Sequence, residues 1–138
     1  MLIDIKSKID DVEIIELLEY SIWSASGKLD DAIREYKSRT NLHLYGYETD
    51  EELVGIIGFE MSDGNDLIIR HIAVKPEYRG LGYGRGQILE VIDLMKPKRV
   101  IAETDEDAVD FYRWIGFEVE SLGEKDPGVE RFRCTFLA

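Results

Sequence analysis

The sequence predicts a single α/β domain, of the α+β type, with a mixed, mostly antiparallel sheet that carries helices on both faces. Three observations lead to this prediction. The length of 138 residues suits one domain, which we place at residues 1–138. The 44% of hydrophobic residues suffices for a sizeable core. Apolar segments joined by short polar turns are followed by alternating helical and extended patterns, which gives the element order β-α-α-β-β-β-α-β-α-β-β.

The charge and the cysteine count exclude several classes of protein. With 17 basic and 29 acidic residues, the formal net charge is -12 at pH 7, so we expect no binding to nucleic acid or to anionic membranes, which would repel the chain. Cys134 is the one cysteine, which excludes an internal disulfide and a metal site built from several cysteines. We expect no metal. The sequence shows no signal-peptide pattern and no long apolar run, so we expect a cytoplasmic protein.

The N-terminal third predicts one strand and two helices. Residues 2–6 alternate weakly and could form a first strand. Asp10 or Asp11 can cap a helix that runs to about Tyr20, and residues 24–27 (Ser-Ala-Ser-Gly) break it. A second helix follows, with apolar side chains at helical spacing: Leu29, Ala32, Ile33 and Tyr36.

The middle of the chain predicts an antiparallel meander. Residues 42–47 and 52–60 read as two strands joined by a polar turn. A second turn, at residues 62–66, leads into an apolar strand over residues 67–74 that is rich in β-branched side chains. Short turns between successive strands favour antiparallel pairing of neighbours.

The last part of the chain alternates helix and strand. A glycine-rich stretch at residues 79–86 opens a helix that Pro97 ends. A short strand at residues 100–102 precedes a helix that we expect to start near Thr104 or Asp105 and to end at Gly116. The apolar face of this helix consists of Ala108, Phe111, Tyr112 and Ile115. Residues 117–122 and 129–136 read as a closing pair of strands.

Positive charge is concentrated around the glycine-rich stretch. Residues 68–99 carry a net charge of +4, against -16 for the rest of the chain. Free N–H groups at a helix N-terminus attract anions, and glycines let an anion approach them closely. Glycine spacing alone would equally suit an ordinary surface turn, but the basic residues favour a phosphate site. The glycines match neither G-x-G-x-x-G nor a P-loop, so both common nucleotide motifs are absent.

Two motifs resemble those of the GNAT superfamily of N-acetyltransferases. Residues 74–84, VKPEYRGLGYG, resemble the acyl-CoA-binding motif Q/R-x-x-G-x-G/A that follows a strand ending in V-x-P. Residues 108–117, AVDFYRWIGF, resemble the family's A-x-x-F/L-Y-x-x-x-G-F. The motifs have the family's order and spacing, and the chain looks like a small bacterial-type member. The resemblance is specific between about Leu67 and Phe117.

The resemblance implies a site for acetyl-CoA as cosubstrate. The backbone of Ile72, Ala73 and Val74 would pair with the pantetheine arm as an added strand would. The strand at residues 67–74 would splay from the parallel strand at residues 100–102 and open the slot. The implied diphosphate site is the glycine-rich turn, where Arg79 and Arg85 add charge: Arg79, Gly80, Leu81, Gly82, Tyr83, Gly84 and Arg85. Asp105 stands where the family commonly has an asparagine that contacts the cofactor.

The resemblance also assigns candidate catalytic roles. Tyr112 corresponds to the family's usual general acid, which protonates the departing thiolate, although its place on an apolar helix face also suits a core tyrosine. Glu103 is the best candidate for a general base and could equally be a surface acid. Strand alternation places Ile68 and Arg70 on the side of Ile72, and neither is a base. His71 then points to the opposite face, where a structural role is expected.

These expectations lead to two functional hypotheses. The first is an N-acetyltransferase that acts on a primary amine of a small molecule or peptide, as a monomer or homodimer. The second is a non-catalytic domain that binds or senses acyl-CoA. The lack of a base at Ile68 and Arg70, on the strand at residues 67–74, motivates this hypothesis. Turnover with an amine would distinguish them.

Overall fold

The computed structural model describes residues 1–22 and 28–138, apart from the side chain of Lys125. Its helices and strands follow the predicted order, with two short 3-10 turns at Lys6–Lys8 and Pro76–Tyr78. The predicted break at residues 24–27 lies outside the described residues. The element bounds are β1 Leu2–Asp4, α1 Val12–Ser21, α2 Lys28–Ser38, β2 Leu42–Thr49, β3 Glu52–Met61, β4 Asp66–Val74, α3 Tyr83–Met95, β5 Arg99–Asp105, α4 Val109–Trp114, β6 Glu118–Asp126 and β7 Val129–Leu137.

The described strands form one seven-stranded sheet in the order β1-β2-β3-β4-β5-β7-β6. Neighbouring strands pair antiparallel, with the exception of β4 and β5, which run parallel. The connection between these two contains α3, because parallel strands need a long crossover. The predicted fold class is confirmed. In the part of the chain that the structure describes, every helix is too short or too polar to cross a membrane.

Helices cover both faces of the sheet. α1 and α2 pack on one face over a core that includes Leu17, Leu18 and Tyr36. α3 and α4 pack on the other face over a core that includes Val91 and Tyr112. We call these the α1/α2 face and the α3/α4 face. β3 lies in the middle of the sheet and is buried on both faces, which accounts for its nearly continuous apolar sequence.

The helix α4 starts later than predicted. The sequence placed its start near Thr104 or Asp105, but the helix begins at Val109. β5 continues to Asp105 instead, where it pairs with Arg131 of β7. Asp105 then turns the chain, since its Oδ1 accepts a hydrogen bond from the backbone N–H of Asp107 at 3.0 Å. Cross-strand pairing therefore decides this boundary.

The first and sixth strands also differ from their predicted lengths. β1 ends at Asp4, whose Oδ1 accepts a hydrogen bond from the backbone N–H of Lys6 at 3.0 Å as the 3-10 turn begins. β6 runs to Asp126 instead of ending near Leu122, because its pairing with β7 extends to the tight turn before Val129. The last two strands thus form a longer hairpin than the sequence indicated.

A bulge at Arg70 interrupts β4. Gly58 of β3 pairs with His71, while the next residue of β3 pairs with Ile69, so Arg70 is the extra residue. An extra residue shifts the alternation of side chains between the faces. Ile69, before the bulge, lies in the core of the α3/α4 face, and Ala73, after it, lies in the core of the α1/α2 face.

The bulge overturns the predicted side of Ile68 and Arg70, whereas His71 lies opposite Ile72 as predicted. Strict alternation placed Ile68 and Arg70 on the side of Ile72. Ile72 packs against the core of the α3/α4 face, but Arg70 lies on the α1/α2 face, 3.6 Å from the carboxylate of Glu35 on α2. His71 lies on this face as well, in contact with α2. β4 therefore presents two polar side chains in succession to one side of the sheet.

Gly58 leaves the space that α2 needs beside the bulge. A Cβ atom at this position would lie 1.7 Å from the hydroxyl oxygen of Tyr36, whose side chain is almost fully buried. We expect Gly58→Ala to lower the free energy of unfolding by about 2 kcal/mol or more through overpacking, measured by urea denaturation. Gly64→Ala is the control, because its Cβ would approach Ser62 Oγ only to 3.8 Å. Equal stability of the two variants would contradict the packing seen here.

Candidate active site

β4 and β5 separate halfway along their length. Their pairing runs from Asp66 opposite Arg99 to Ile69 opposite Ala102. Beyond that point β5 continues beside β7 to Asp105, and β4 continues beside β3. We call the point of separation the fork. The predicted splay of the two strands is confirmed, and it opens a slot along β4.

The backbone of β4 offers hydrogen-bonding groups to this slot. The N–H of Lys75 donates to the carbonyl of Val54 on β3 at 2.8 Å, which marks a hydrogen-bonded pair of the antiparallel ladder. Such pairs recur at every second residue, so Ala73 also directs its N–H and C=O to β3. Ile72 and Val74 direct theirs to the opposite side. Of the three residues expected to pair with the pantetheine arm, these two present backbone groups to the slot.

A cavity of about 550 Å³ occupies the slot. It brings together residues of β4, the glycine-rich turn and α4. Ten of the predicted site residues line it: Ile72, Ala73, Val74, Arg79, Gly80, Gly82, Tyr83, Gly84, Arg85 and Tyr112. Leu81, which is exposed, and Glu103 are not among the described residues that line the cavity.

Two left-handed glycines lead the chain into α3. Gly80 has φ 79° and Gly82 has φ 88°, a conformation that other residues adopt only with strain. The first helical hydrogen bond runs from the N–H of Gly86 to the carbonyl of Gly82 at 2.9 Å, so the N–H groups of residues 83–85 lack partners within the helix. A Cβ atom on Gly80 or Gly82 would meet nothing within 4 Å. This open, basic turn fits the expected diphosphate site.

Arg79 is held beside the slot by two contacts. Its Nε donates a hydrogen bond to the carbonyl of Val74 at 3.0 Å. Its guanidinium lies over the ring of Tyr20, 5.2 Å from the centroid, in a cation–π contact. Tyr20, near the end of α1, thereby forms a wall of the cavity. No motif in α1 indicates this role, and from the sequence Tyr20 could equally line a pocket or fill the core.

Tyr112 lies on the α3/α4 side of the slot and lines the cavity. Its ring packs against Phe111 and Phe117, with centroids 5.1 and 5.3 Å away, and the residue is 4% exposed. Burial, and to a lesser degree the nearby Cys134, raise the pKa of its hydroxyl above the usual value. The phenol is therefore protonated at neutral pH. Tyr112 is both a core residue and a slot residue.

Glu103 lies on β5, directly after the fork. Its neighbour Ala102 is buried in the core of the α3/α4 face, so Glu103 faces the α1/α2 side. Its carboxylate lies 3.9 Å from the guanidinium of Arg133, the residue opposite it on β7. The structure places Glu103 near the point where the slot begins, outside the lining of the cavity.

The cavity is also lined by residues that the motifs did not assign to a site. Tyr78 follows β4, and its hydroxyl donates a hydrogen bond to Glu52, which raises the pKa of Tyr78 to about 12. Ala108, Phe111 and Ile115 come from α4 and its first turn. The sequence placed these three on the apolar face that carries Tyr112, so their spacing relative to Tyr112 was a usable signal. Among the described residues, no group of three or more acidic, histidine or cysteine side chains could hold a metal ion.

Comparisons with known proteins agree with this geometry. The model of the acetyltransferase (GNAT) family matches residues 10–117 of the chain. An uncharacterised N-acetyltransferase of Bacillus methanolicus is 26% identical over 74 residues, which cover 54% of this chain and 62% of that protein. The match thus spans less than two thirds of that relative's length.

Solved structures share the fold over nearly the whole chain. A protein described as an acetyltransferase of the GNAT family from Desulfovibrio desulfuricans has a TM-score of 0.83 at 17% identity, covering 99% of this chain and 98% of that one. An acetyltransferase of Bacillus subtilis, solved in complex with CoA, has a TM-score of 0.71 at 19% identity, covering 93% of each chain. At these identities the structures attest the fold alone. Because the family model spans most of the chain and includes both motifs, the chain belongs to the GNAT acetyltransferase family.

Proposed function

We propose that this protein transfers the acetyl group of acetyl-CoA to a primary amine of a small molecule or peptide, by direct attack in a ternary complex. The observation that carries the proposal is a single cavity that joins outward-facing backbone groups at Ile72 and Val74 to the open turn at Gly80 and Gly82. A pantetheine arm contains amides that pair with a strand, and a diphosphate suits a helix N-terminus. The related Bacillus subtilis structure in complex with CoA supports the same ligand.

The order of these features along the chain orients the cosubstrate. The diphosphate site follows β4 at its C-terminal end, so a pantetheine arm that runs back along Val74 and Ile72 leads toward the fork. The thioester would therefore lie at the fork, near the backbone of His71 on β4 and of Glu103 on β5, whose side chains are not among the described residues that line the cavity. An acceptor amine must reach the same point, and this placement defines where the reaction takes place.

Tyr112 supplies a proton on one side of the fork. Transfer from a free phenol, with a pKa of about 10, to a free thiolate, with a pKa of about 8.5, is uphill by about 2 kcal/mol. Burial raises the pKa of Tyr112 further, so transfer must be concerted with cleavage of the carbon–sulfur bond. Until then the hydroxyl can donate a hydrogen bond to the sulfur. A backbone N–H of Ile72 or Val74 can donate to the developing oxyanion.

Glu103 remains a candidate proton acceptor for the attacking amine. It lies next to the fork, and a carboxylate can take the proton through one water molecule. Its ion pair with Arg133 keeps the carboxylate near β7. Attack by the amine requires a proton acceptor at the fork, and Glu103 is the residue that the sequence indicates.

A screen for release of free CoA thiol tests the proposed function. We expect the wild-type protein to release CoA from acetyl-CoA in the presence of at least one compound in a panel of amines, peptides and aminoglycosides, and to form the acetylated amine in equal amount. Omission of the amine should leave only slow hydrolysis. Saturable acetyl-CoA binding without turnover on the whole panel would favour a non-catalytic sensor of acyl-CoA.

A further inference from the structure

A tyrosine–histidine pair lies at the fork on the α1/α2 face. The hydroxyl of Tyr36, on α2, lies 2.7 Å from Nδ1 of His71, on β4, and the two rings are tilted with centroids 5.5 Å apart. Tyr36 is 1% exposed and fits against the backbone at Gly58. One ring nitrogen of His71 is thus tied to a rigid partner, and the imidazole keeps its other nitrogen, Nε2, for a different one.

The pair and Tyr112 lie on different faces of the sheet. Pairing of β4 with β5 ends at Ile69, and His71 is the second residue beyond it, directly before Ile72. His71 faces the α1/α2 side and Tyr112 belongs to the core of the α3/α4 side. A thioester at the fork would therefore have one titratable side chain on each face of the sheet. Attack on a planar thioester needs a proton acceptor for the nucleophile and a proton donor for the leaving group at different positions.

Four charged groups form a closed ring of ion pairs beside the pair. Glu60 of β3 lies 2.6 Å from Arg39 and 3.2 Å from Arg70, and Glu35 of α2 lies 3.5 Å and 3.6 Å from the same two arginines. Burial, and then the charge of Arg70, lower the pKa of His71 to about 4, with Glu35 opposing the shift. The imidazole is therefore neutral at physiological pH, and because so low a pKa makes it a weak base, it can accept a proton only in concert with attack of the amine.

We propose that His71, oriented by Tyr36, takes the proton from the acceptor amine at the fork. The inference rests on the proposed acetyl transfer. His71 would act as the catalytic base through Nε2, and Tyr36 would be a positioning residue whose oxygen accepts the hydrogen bond from Nδ1–H. This tautomer leaves the lone pair on Nε2.

The step balances with the groups at hand. The amine nitrogen forms a bond to the acetyl carbon, and the carbon–sulfur bond breaks. The proton lost by the nitrogen goes to Nε2 of His71, and the proton of the Tyr112 hydroxyl goes to the sulfur. Tyr112 then regains a proton from solvent and His71 releases one, so both side chains return to their starting forms.

Two variants of His71 test the proposal on an acceptor that wild type acetylates. We expect His71→Gln to lower kcat by about tenfold to a hundredfold, with unchanged affinity for acetyl-CoA, because glutamine keeps the polarity but takes no proton at neutral pH. We expect added imidazole to restore part of the kcat of His71→Ala, since it can occupy the vacated space. A purely structural histidine would show no such rescue.

Two further variants test the positioning role of Tyr36 and provide a control: Tyr36→Phe and His43→Gln. Tyr36→Phe removes the hydroxyl that orients the ring, and we expect a loss in kcat of about threefold to tenfold without a change in the KM for acetyl-CoA. His43 is the matched control: it is the other histidine of the chain, lies on β2 and stacks on Phe59. We expect His43→Gln to retain the wild-type kcat.

The outcomes separate this proposal from the proposed function. Wild-type turnover with an unchanged kcat in His71→Gln would overturn the role of His71 alone. Loss of kcat in Glu103→Gln but not in His71→Gln would assign the proton to Glu103 and overturn it as well. An absence of turnover by wild type on every acceptor would overturn the proposed function and this proposal with it. If His71→Gln does not fold, the other two measurements test the role of His71. Absence of imidazole rescue in His71→Ala together with a wild-type kcat in Tyr36→Phe would then overturn it.

Discussion

Tyr112→Phe should reduce kcat on the order of 10- to 1000-fold and leave acetyl-CoA binding intact. The substitution removes one oxygen from a side chain that is 4% exposed and packed between two phenylalanines, so the fold and the slot should persist. Only the proton for the departing thiolate is lost. The effect should therefore appear in kcat more than in KM, measured by steady-state release of CoA thiol.

Tyr45→Phe provides the matched control for this experiment. Tyr45 also loses one hydroxyl, but it stacks on Phe59 in β3 and does not line the cavity. Its kcat should equal that of wild type. An unchanged kcat in Tyr112→Phe, on an acceptor that wild type acetylates, would return Tyr112 to a role in the core. Since the raised pKa keeps the phenol protonated, ionisation of Tyr112 should cause no loss of activity as the pH rises from 7 to 9.

Gly82→Asp should abolish the rise in melting temperature that CoA and acetyl-CoA give the wild-type protein. A ligand that binds only the folded state raises the melting temperature, and the carboxylate would place negative charge and bulk in the open space before α3. NAD and ATP should stabilise even the wild type much less, since they have no pantetheine arm to pair with β4. Differential scanning fluorimetry with each ligand measures both effects.

Strain at Gly82 must be separated from loss of the phosphate site. Gly123 provides the control, because it also has a left-handed φ, of 78°, and open space at its Cβ position, but lies on β6. Gly123→Asp should lower the melting temperature of the free protein about as much as Gly82→Asp and keep the shift with CoA. Retention of the full shift in Gly82→Asp would show that the glycine-rich turn does not bind the diphosphate.

The local parts of the site could be predicted from the sequence. The left-handed turn at Gly80 and Gly82 is possible because these two residues, close together in the chain, have no Cβ atom. The place of Tyr112 depends on helical spacing within α4. Each of these features is determined within one short segment, and each lies where the motifs indicated.

The face occupied by Arg70 could not be predicted in this way. It depends on a bulge that exists only through pairing between Gly58 and His71, and nothing in the apolar sequence of β4 marks Arg70 as an extra residue. One extra residue reverses which side chains face each side of the sheet. The late start of α4 has a similar cause, since pairing of Asp105 with Arg131 keeps that segment extended.

The fork also divides the sheet into two parts. The sheet consists of two antiparallel halves, β1 to β4 and β5 to β7, joined along the short parallel contact from Asp66 to Ile69. Arg99 fastens the start of this joint with two hydrogen bonds to the carboxylate of Asp66, at 3.1 and 2.6 Å. The core of the α3/α4 face crosses this joint, since Ile69 and Ala102 both belong to it. Beyond Ile69 the two halves share no strand pairing, so a bound acyl-CoA would bridge them along the slot.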